Sequence, residues 1–184
     1  MDPKVSAPEA LSTARLHLRR FLPEHEAILT GLYSKPEVME FIVPGGRTPE
    51  QSAAACGRLF SQWEAHAFGA WLLFTREEPS AFAGVAMLMR DASGPVEVGY
   101  ALERAYWGKG LTTEVVGAAV EVAFGVLDLP GLFARVDPGN APSARVLLKH
   151  GFALEKETRP EGGRATDWYL LRRRGRESGL PSGA

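Results

Sequence analysis

The chain has 184 residues, 45% hydrophobic and 23% charged, with a formal net charge of -1. That length suits one domain with a proper core, and the charge argues against bulk attraction to nucleic acid or to an anionic membrane. Cys56 is the single cysteine, which excludes an internal disulfide framework; neither a secretory signal nor an apolar run long enough to span a bilayer is expected from the sequence, so a cytoplasmic setting is expected.

Residues 1–12 read as a loose leader, residues 13–174 as a single domain, and residues 175–184, rich in Gly, Ser and Pro, as a disordered tail. Arg15 to Phe21 (RLHLRRF) alternates apolar and basic residues, the pattern of a strand. Pro23 starts a helical stretch through Tyr33, and a second short helix follows Pro36 and ends near the turn signal at Pro44, Gly45 and Gly46. Thr48 caps a longer helix that runs to about His66, with Pro49 in its first position and Gln51 at the capping-box site.

Three strand-like runs come next, GAWLLFTR, AFAGVAMLM and PVEVGYAL, with short polar or Gly/Pro punctuation between them; they predict an antiparallel meander. After WGKG the period turns helical, with Val115, Val116, Ala119, Val122, Ala123 and Val126 on one face. A strand, LFARV, follows Pro130 and Gly131. A helix from Ser143 to about His150 then ends at Gly151, a left-handed C-cap, and FALEKET and ATDWYLLRR are the last two strands. The predicted order is β-α-α-(α)-β-β-β-α-β-α-β-β, a mixed α+β domain.

The most informative stretch is Val96 to Glu114, VEVGYALERAYWGKGLTTE, where a strand feeds a glycine-containing loop that becomes a helix N-terminus. Backbone N–H groups at such a terminus lack helical partners and carry partial positive charge, and Gly108 and Gly110 allow close approach or positive φ. This is a site for phosphate oxygens, although a plain strand-turn-helix connection would look the same on the glycines alone. It is not a P-loop, because glycine follows Lys109, and Thr113 stands in place of the last glycine of G-x-G-x-x-G.

WGKGLT resembles the pyrophosphate loop of the GNAT family of N-acetyltransferases, R/Q-x-x-G-x-G/A, and YWGKG…TE is closest to its Rim-type branch, which acetylates ribosomal-protein N-termini. A second motif, NAPSARVLLKHGF from Asn140 to Phe152, resembles that branch's N-x-x-S-x-x-V-L-x-K-x-G-F, and TARLHLRRF resembles its first strand. The resemblance spans about Thr13 to Arg173 and implies a mixed, mostly antiparallel sheet flanked by helices, with acetyl-CoA as co-substrate and no metal. Trp107 holds the R/Q position. Thr112 replaces a glycine or alanine, so that its bulk crowds a phosphate or its hydroxyl donates to one. Leu147 stands where many members place a tyrosine as general acid.

The resemblance implies that pyrophosphate rests on the backbone of Gly108, Lys109, Gly110, Leu111, Thr112 and Thr113. It places the pantetheine arm beside Tyr100, Ala101 and Leu102, where two strands splay, with Asn140 touching the arm or bracing the splay. Without the resemblance, Asn140 reads as a turn residue before a helix. Deprotonating a lysine-like amine at pH 7 costs about 4–5 kcal/mol, whereas an α-amine costs only about 1–1.5 kcal/mol, so a weak or water-mediated base suffices for the latter. Glu97 is the candidate base, sharing a strand face with Gly99 and Ala101, which are small enough to leave room; its alternative is a solvent-facing glutamate. A main-chain N–H near Tyr100 could hold the oxyanion. The Rim-type resemblance makes Ser143 the group that assists the departing thiolate; its alternative is the N-cap of the following helix.

Cys56 is a core residue, His17, His25, His66 and His150 lack metal-ligand spacing, and Trp63, Trp71 and Trp168 are core or substrate-wall aromatics. Arg172, Arg173, Arg174 and Arg176 form a solvated end. The expected function is acetyl transfer to a protein N-terminal α-amine or a small-molecule amine, with no nucleic-acid or membrane partner and with a homodimer compatible. The alternatives are a non-catalytic acyl-CoA-binding module and, less in keeping with antiparallel strands before the loop, a nucleotide-binding domain of another fold. The acceptor pocket is expected from the helices between Pro23 and His66 and from the loop at Pro160 to Arg164.

Overall fold

A computed structural model describes residues 5–43, 46–90 and 94–173. Eight strands form one sheet in the order β1-β2-β3-β4-β5-β6-β8-β7. They are β1 (Ala10–Ser12), β2 (Leu16–Arg20), β3 (Ala70–Thr75), β4 (Phe82–Arg90), β5 (Val96–Leu102), β6 (Gly131–Val136), β7 (Ala153–Thr158) and β8 (Thr166–Arg172). Every pairing is antiparallel except β5 with β6. The predicted meander is β3-β4-β5. The part of the leader closest to the domain is structured: Ala10–Ser12 pairs with His17–Arg19, a contact too short to leave an alternation in the sequence. The tail from Gly175, together with Arg174, Pro44 and Gly45, lies outside the described residues.

Helices cover both faces of the sheet. On one side lie α1 (Glu26–Tyr33), reached through a short turn of 3-10 helix at Pro23–His25, then α2 (Pro36–Met39) and α3 (Pro49–His66). The α3 start has both capping-box bonds: Thr48 Oγ1 accepts from the Gln51 N–H at 3.3 Å, and Gln51 Oε1 accepts from the Thr48 N–H at 3.0 Å. Leu29, Leu32, Leu59 and Cys56 pack there on Ala70, Leu72, Val85 and Ala101. Cys56 is thus a core residue, and burial pushes its thiol pKa up.

On the other side lie α4 (Leu111–Glu121), continued by a π-helical turn at Val122–Val126, and α5 (Ala141–Lys149). The α4 stripe of Leu111, Val115, Val116 and Ala119 packs on Leu73, Leu88, Val98 and Leu132. Each such buried Leu or Val contributes roughly 1.5–3 kcal/mol. Strand alternation therefore assigns β5 residues to two environments. Val96, Val98 and Tyr100 face α4 and α5, while Glu97, Gly99 and Ala101 face the side of α1 to α3.

Among the described residues no helix is long and apolar enough to cross a membrane. Trp63 and Trp71 are core residues in edge-to-face contact at 5.4 Å. The basic end is paired, since Arg172 bonds Glu155 at 3.0 Å and Arg173 bonds Asp128.

Candidate active site

The site begins where β5 and β6 part. Their parallel register holds only at Val96↔Leu132 and Glu97↔Phe133. Beyond Glu97, β6 continues to pair with β8, and β5 continues to pair with β4, but not with each other. Among the described residues, the edge of β5 from Val98 to Leu102 therefore has no strand partner on that side, and its main-chain groups need acceptors and donors from elsewhere. An extended amide-bearing chain fits this edge by adding to it as a strand would.

At the end of the same edge stands the glycine loop. Gly108 and Gly110 have φ of 71° and 75°. A Cβ at Gly108 would meet nothing within 4 Å, and one at Gly110 only Arg15 Nη2 at 3.6 Å. Conformation rather than space therefore requires glycine here. Gly110 is the α4 N-cap and has no side chain to bond the first turn, so the N–H groups of Leu111, Thr112 and Thr113 open the helix without a side-chain cap from that position. They and the helix dipole suit a phosphate group. Thr112 and Thr113 are half-buried, and His150 Nε2 donates to the Thr113 carbonyl at 2.7 Å.

Two neighbours hold the loop in place. Trp107 donates its indole N–H to the Leu102 carbonyl at 2.8 Å, tying the loop to the end of β5. Arg15 bridges from the start of β2: its Nη1 donates to the Lys109 carbonyl at 2.8 Å, and its backbone N–H and Nε donate to the two oxygens of Glu114 at 2.7 and 2.8 Å. Lys109 Nζ sits 5.5 Å from the centre of the Tyr106 ring. A cavity of about 350 Å³ lined in part by Arg15, Arg76, Glu77 and Lys109 adjoins the loop. Sequence reasoning missed Arg15; its only signal was the paired motif element Glu114, 99 residues away.

Burial opposes the charge on Glu114, but bonds from the Thr13 hydroxyl and from Arg15 hold its carboxyl below the ordinary value of 4.5. A carboxylate with a depressed folded pKa adds stability above its unfolded pKa and loses it as pH falls through the folded one. Glu114→Gln should therefore cost about 1 kcal/mol at pH 7. The gap from the unsubstituted protein should close in acid, below the folded pKa of Glu114. Urea unfolding at both pH values checks this, and a gap that does not change with pH would remove Glu114 as a pH-dependent anchor of the loop.

Glu97 lies at the last paired position before the strands separate, with its side chain 18% exposed. Both its oxygens accept from Arg135 on β6, Oε1 from Nε at 3.0 Å and Oε2 from Nη2 at 2.5 Å. The solvent-facing alternative is thus replaced by a forked ion pair. The room expected on its strand face is largely filled, because Met87 Cγ lies 3.2 Å from where a Gly99 Cβ would stand and Ala101 is buried beneath the helices. Phe133 and Trp168 stack at 5.7 Å beside this pair, with the Arg135 guanidinium over the Trp168 ring. The loop between β7 and β8 closes over the same side. Arg164 donates to the Ile42 carbonyl and pairs with Asp137 at 2.9 Å, which joins that loop to the chain after α2.

On the opposite face, the α5 cap differs from the expected one. The helix starts at Ala141, and its N-cap is Asn140, whose Oδ1 accepts from the Ser143 N–H at 3.2 Å. Ser143 is the third helical residue, not the cap, so its hydroxyl is free of that duty. It lies 2.6 Å from the Tyr100 hydroxyl, across from β5. Leu147 is fully buried in the core. Among the described residues no three His, Cys, Asp or Glu side chains cluster as metal ligands.

A family model described as an acetyltransferase (GNAT) domain matches residues 15–153. An uncharacterized N-acetyltransferase of Bacillus licheniformis, p20, is 29% identical over 170 residues, covering 89% of this chain and 94% of its own. An acetyltransferase from Agrobacterium tumefaciens str. C58 superposes with a TM-score of 0.78 at 22% identity, covering 94% of this chain and 99% of that one. RimL, a ribosomal L7/L12 alpha-N-protein acetyltransferase solved in complex with coenzyme A, superposes with a TM-score of 0.71 at 17% identity, covering 89% and 98%. The glycine loop at a helix start, the parted strands and these matches together place the chain in the GNAT family of acetyl-CoA-dependent N-acetyltransferases.

Proposed function

We propose that the protein moves the acetyl group of acetyl-CoA directly onto an amine, either the α-amine of a protein N-terminus or the amine of a small molecule. The observation that carries this reading is the parting of β5 and β6 at Glu97, in line with the glycine-capped α4 N-terminus. The loop from Gly108 to Thr113 would hold the pyrophosphate, and the edge at Tyr100, Ala101 and Leu102, whose last carbonyl also accepts from Trp107, would bond the pantetheine amides. The thioester would then lie in the gap, with Glu97 on one face of the sheet and Ser143 on the other.

Glu97 receives the amine proton, directly through a lone pair not used by Arg135 or through one water. Ser143 donates to the sulfur as the C–S bond breaks. The wall of Phe133, Trp168, Arg135 and the loop carrying Arg164 belongs to the acceptor side.

The test is an acceptor panel with acetyl-CoA: N-terminal peptides, amino acids, polyamines and aminoglycosides, each scored for acetylated product and for released thiol. Turnover with at least one amine class is expected. Tight coenzyme binding without product across the whole panel would replace the enzyme reading by that of an acyl-CoA-binding module.

A further inference from the structure

In many relatives the resemblance places a tyrosine at the position of Leu147, and here that side chain is 0% exposed in the core and has no acidic proton to give. The structure brings a different phenol to the gap. Tyr100 is the fifth residue of β5 and points toward α5, where its hydroxyl meets Ser143 Oγ at 2.6 Å. The Ser143 carbonyl lies at 3.5 Å from the same phenol, too far to compete with the shorter bond. Because the Asn140 side chain caps the helix, nothing in the cap requires the serine hydroxyl.

We propose that Tyr100 is a positioning residue for the acetyl transfer, its phenol donating to Ser143 Oγ so that the serine proton is turned toward the sulfur that leaves. This rests on the role given to Ser143 above. A phenol is a far stronger hydrogen-bond acid than an aliphatic alcohol, so in a pair of hydroxyls it is the preferred donor. With one lone pair of Ser143 Oγ taken by the phenol, its own hydrogen is left to point elsewhere, and in this proposal it turns to the gap. Burial pushes the Tyr100 pKa up to about 12, so the phenol stays protonated and serves as a donor rather than as a source of protons.

The amine nitrogen bonds the acetyl carbon, the C–S bond breaks, and its electron pair stays on sulfur. The proton shed by the amine passes through Glu97 to solvent, and solvent returns one to the thiolate. Tyr100 and Ser143 only hydrogen-bond, and neither changes charge. The arrangement divides the work between the two faces of the sheet: proton removal from the amine on the Glu97 side, stabilisation of the leaving sulfur on the Tyr100 side.

The test is a double-mutant cycle of Tyr100→Phe, Ser143→Ala and the double variant on one accepted amine, reading kcat and KM for acetyl-CoA. Tyr100→Phe keeps the ring and its packing, and melting temperatures report folding for each variant. Each single variant should lower kcat roughly tenfold with KM within about twofold, and the double variant should be no slower than Ser143→Ala. The Tyr100→Phe defect should be the same from about pH 6 to about pH 9, because a neutral phenol does not titrate there. Independent, multiplying effects would overturn the proposal, as would native kcat in Tyr100→Phe beside a slow Ser143→Ala. Native kcat in Ser143→Ala would overturn the serine's role and this inference with it, while leaving acetyl transfer itself standing.

Discussion

Gly110→Asp should lower the affinity for acetyl-CoA roughly 100-fold while the protein stays folded. Position 110 has φ 75° and is the N-cap of α4. Aspartate and asparagine tolerate the left-handed region better than other side chains, so either should be accommodated there, and both are good helix caps. The two differ in charge. Aspartate puts an anion, and an acceptor for the α4 N–H groups, where a phosphate would otherwise use them. Asparagine occupies the same volume without the charge. Gly110→Asn should therefore bind within about tenfold of the unsubstituted protein, and Gly110→Asp much more weakly, with the difference shrinking at high salt. Calorimetric titration with coenzyme A reads both, alongside melting temperatures. Equal affinities for the two variants would mean that the pyrophosphate is not held at this terminus.

Local signals were legible wherever the physics is local. The capping box of Thr48 and Gln51, the period of α4 and the alternation of β3, β4 and β5 each depend on neighbours within a few residues, and each element is found where those patterns put it, except that the buried α4 stripe stops at Ala123 because the π-helical turn changes the period and leaves Val126 exposed. The start of α5 shows the limit. Asn140 and Ser143 are three residues apart and both are strong caps; Pro142 lies in the first turn if Asn140 caps, where its missing N–H costs nothing, and before the helix if Ser143 does, so it does not decide between them. The helix uses the earlier one, which releases the serine hydroxyl. The contacts that define the site are of another kind. Glu97 meets Arg135, Tyr100 meets Ser143, and Arg15 meets Glu114, across separations of 38, 43 and 99 residues. They exist only because β6 runs parallel to β5 in one register and because β2 ends up beside the loop after β5. A shift of one residue in that parallel pair would send Glu97 and Phe133 to different faces, so no pattern along the chain could have named Arg135.

Glu97→Gln should lower kcat/KM about 100-fold at pH 7, the low end of what a general base contributes. The substitution keeps the size of the side chain and leaves one oxygen for the Arg135 guanidinium, so any effect on rate comes from the lost charge and basicity. The expected loss is modest because an α-amine needs only about 1–1.5 kcal/mol to deprotonate at that pH. For an acceptor resembling lysine the penalty should be larger, since about 4–5 kcal/mol must be met. The rescue should follow the acceptor: activity of the variant rises with pH until free amine dominates, then levels, and the unsubstituted enzyme levels earlier. Arg135→Gln is the control for the pair. It removes the charge partner and frees both Glu97 oxygens, so it should retain activity if Glu97 acts as base and lose it if the ion pair itself shapes the gap. Full pH–rate profiles for the three proteins on one amine decide between these. Parallel profiles for Glu97→Gln and the unsubstituted enzyme would take Glu97 out of the proton path and leave it as the clasp that pins β5 to β6 at the point where they part.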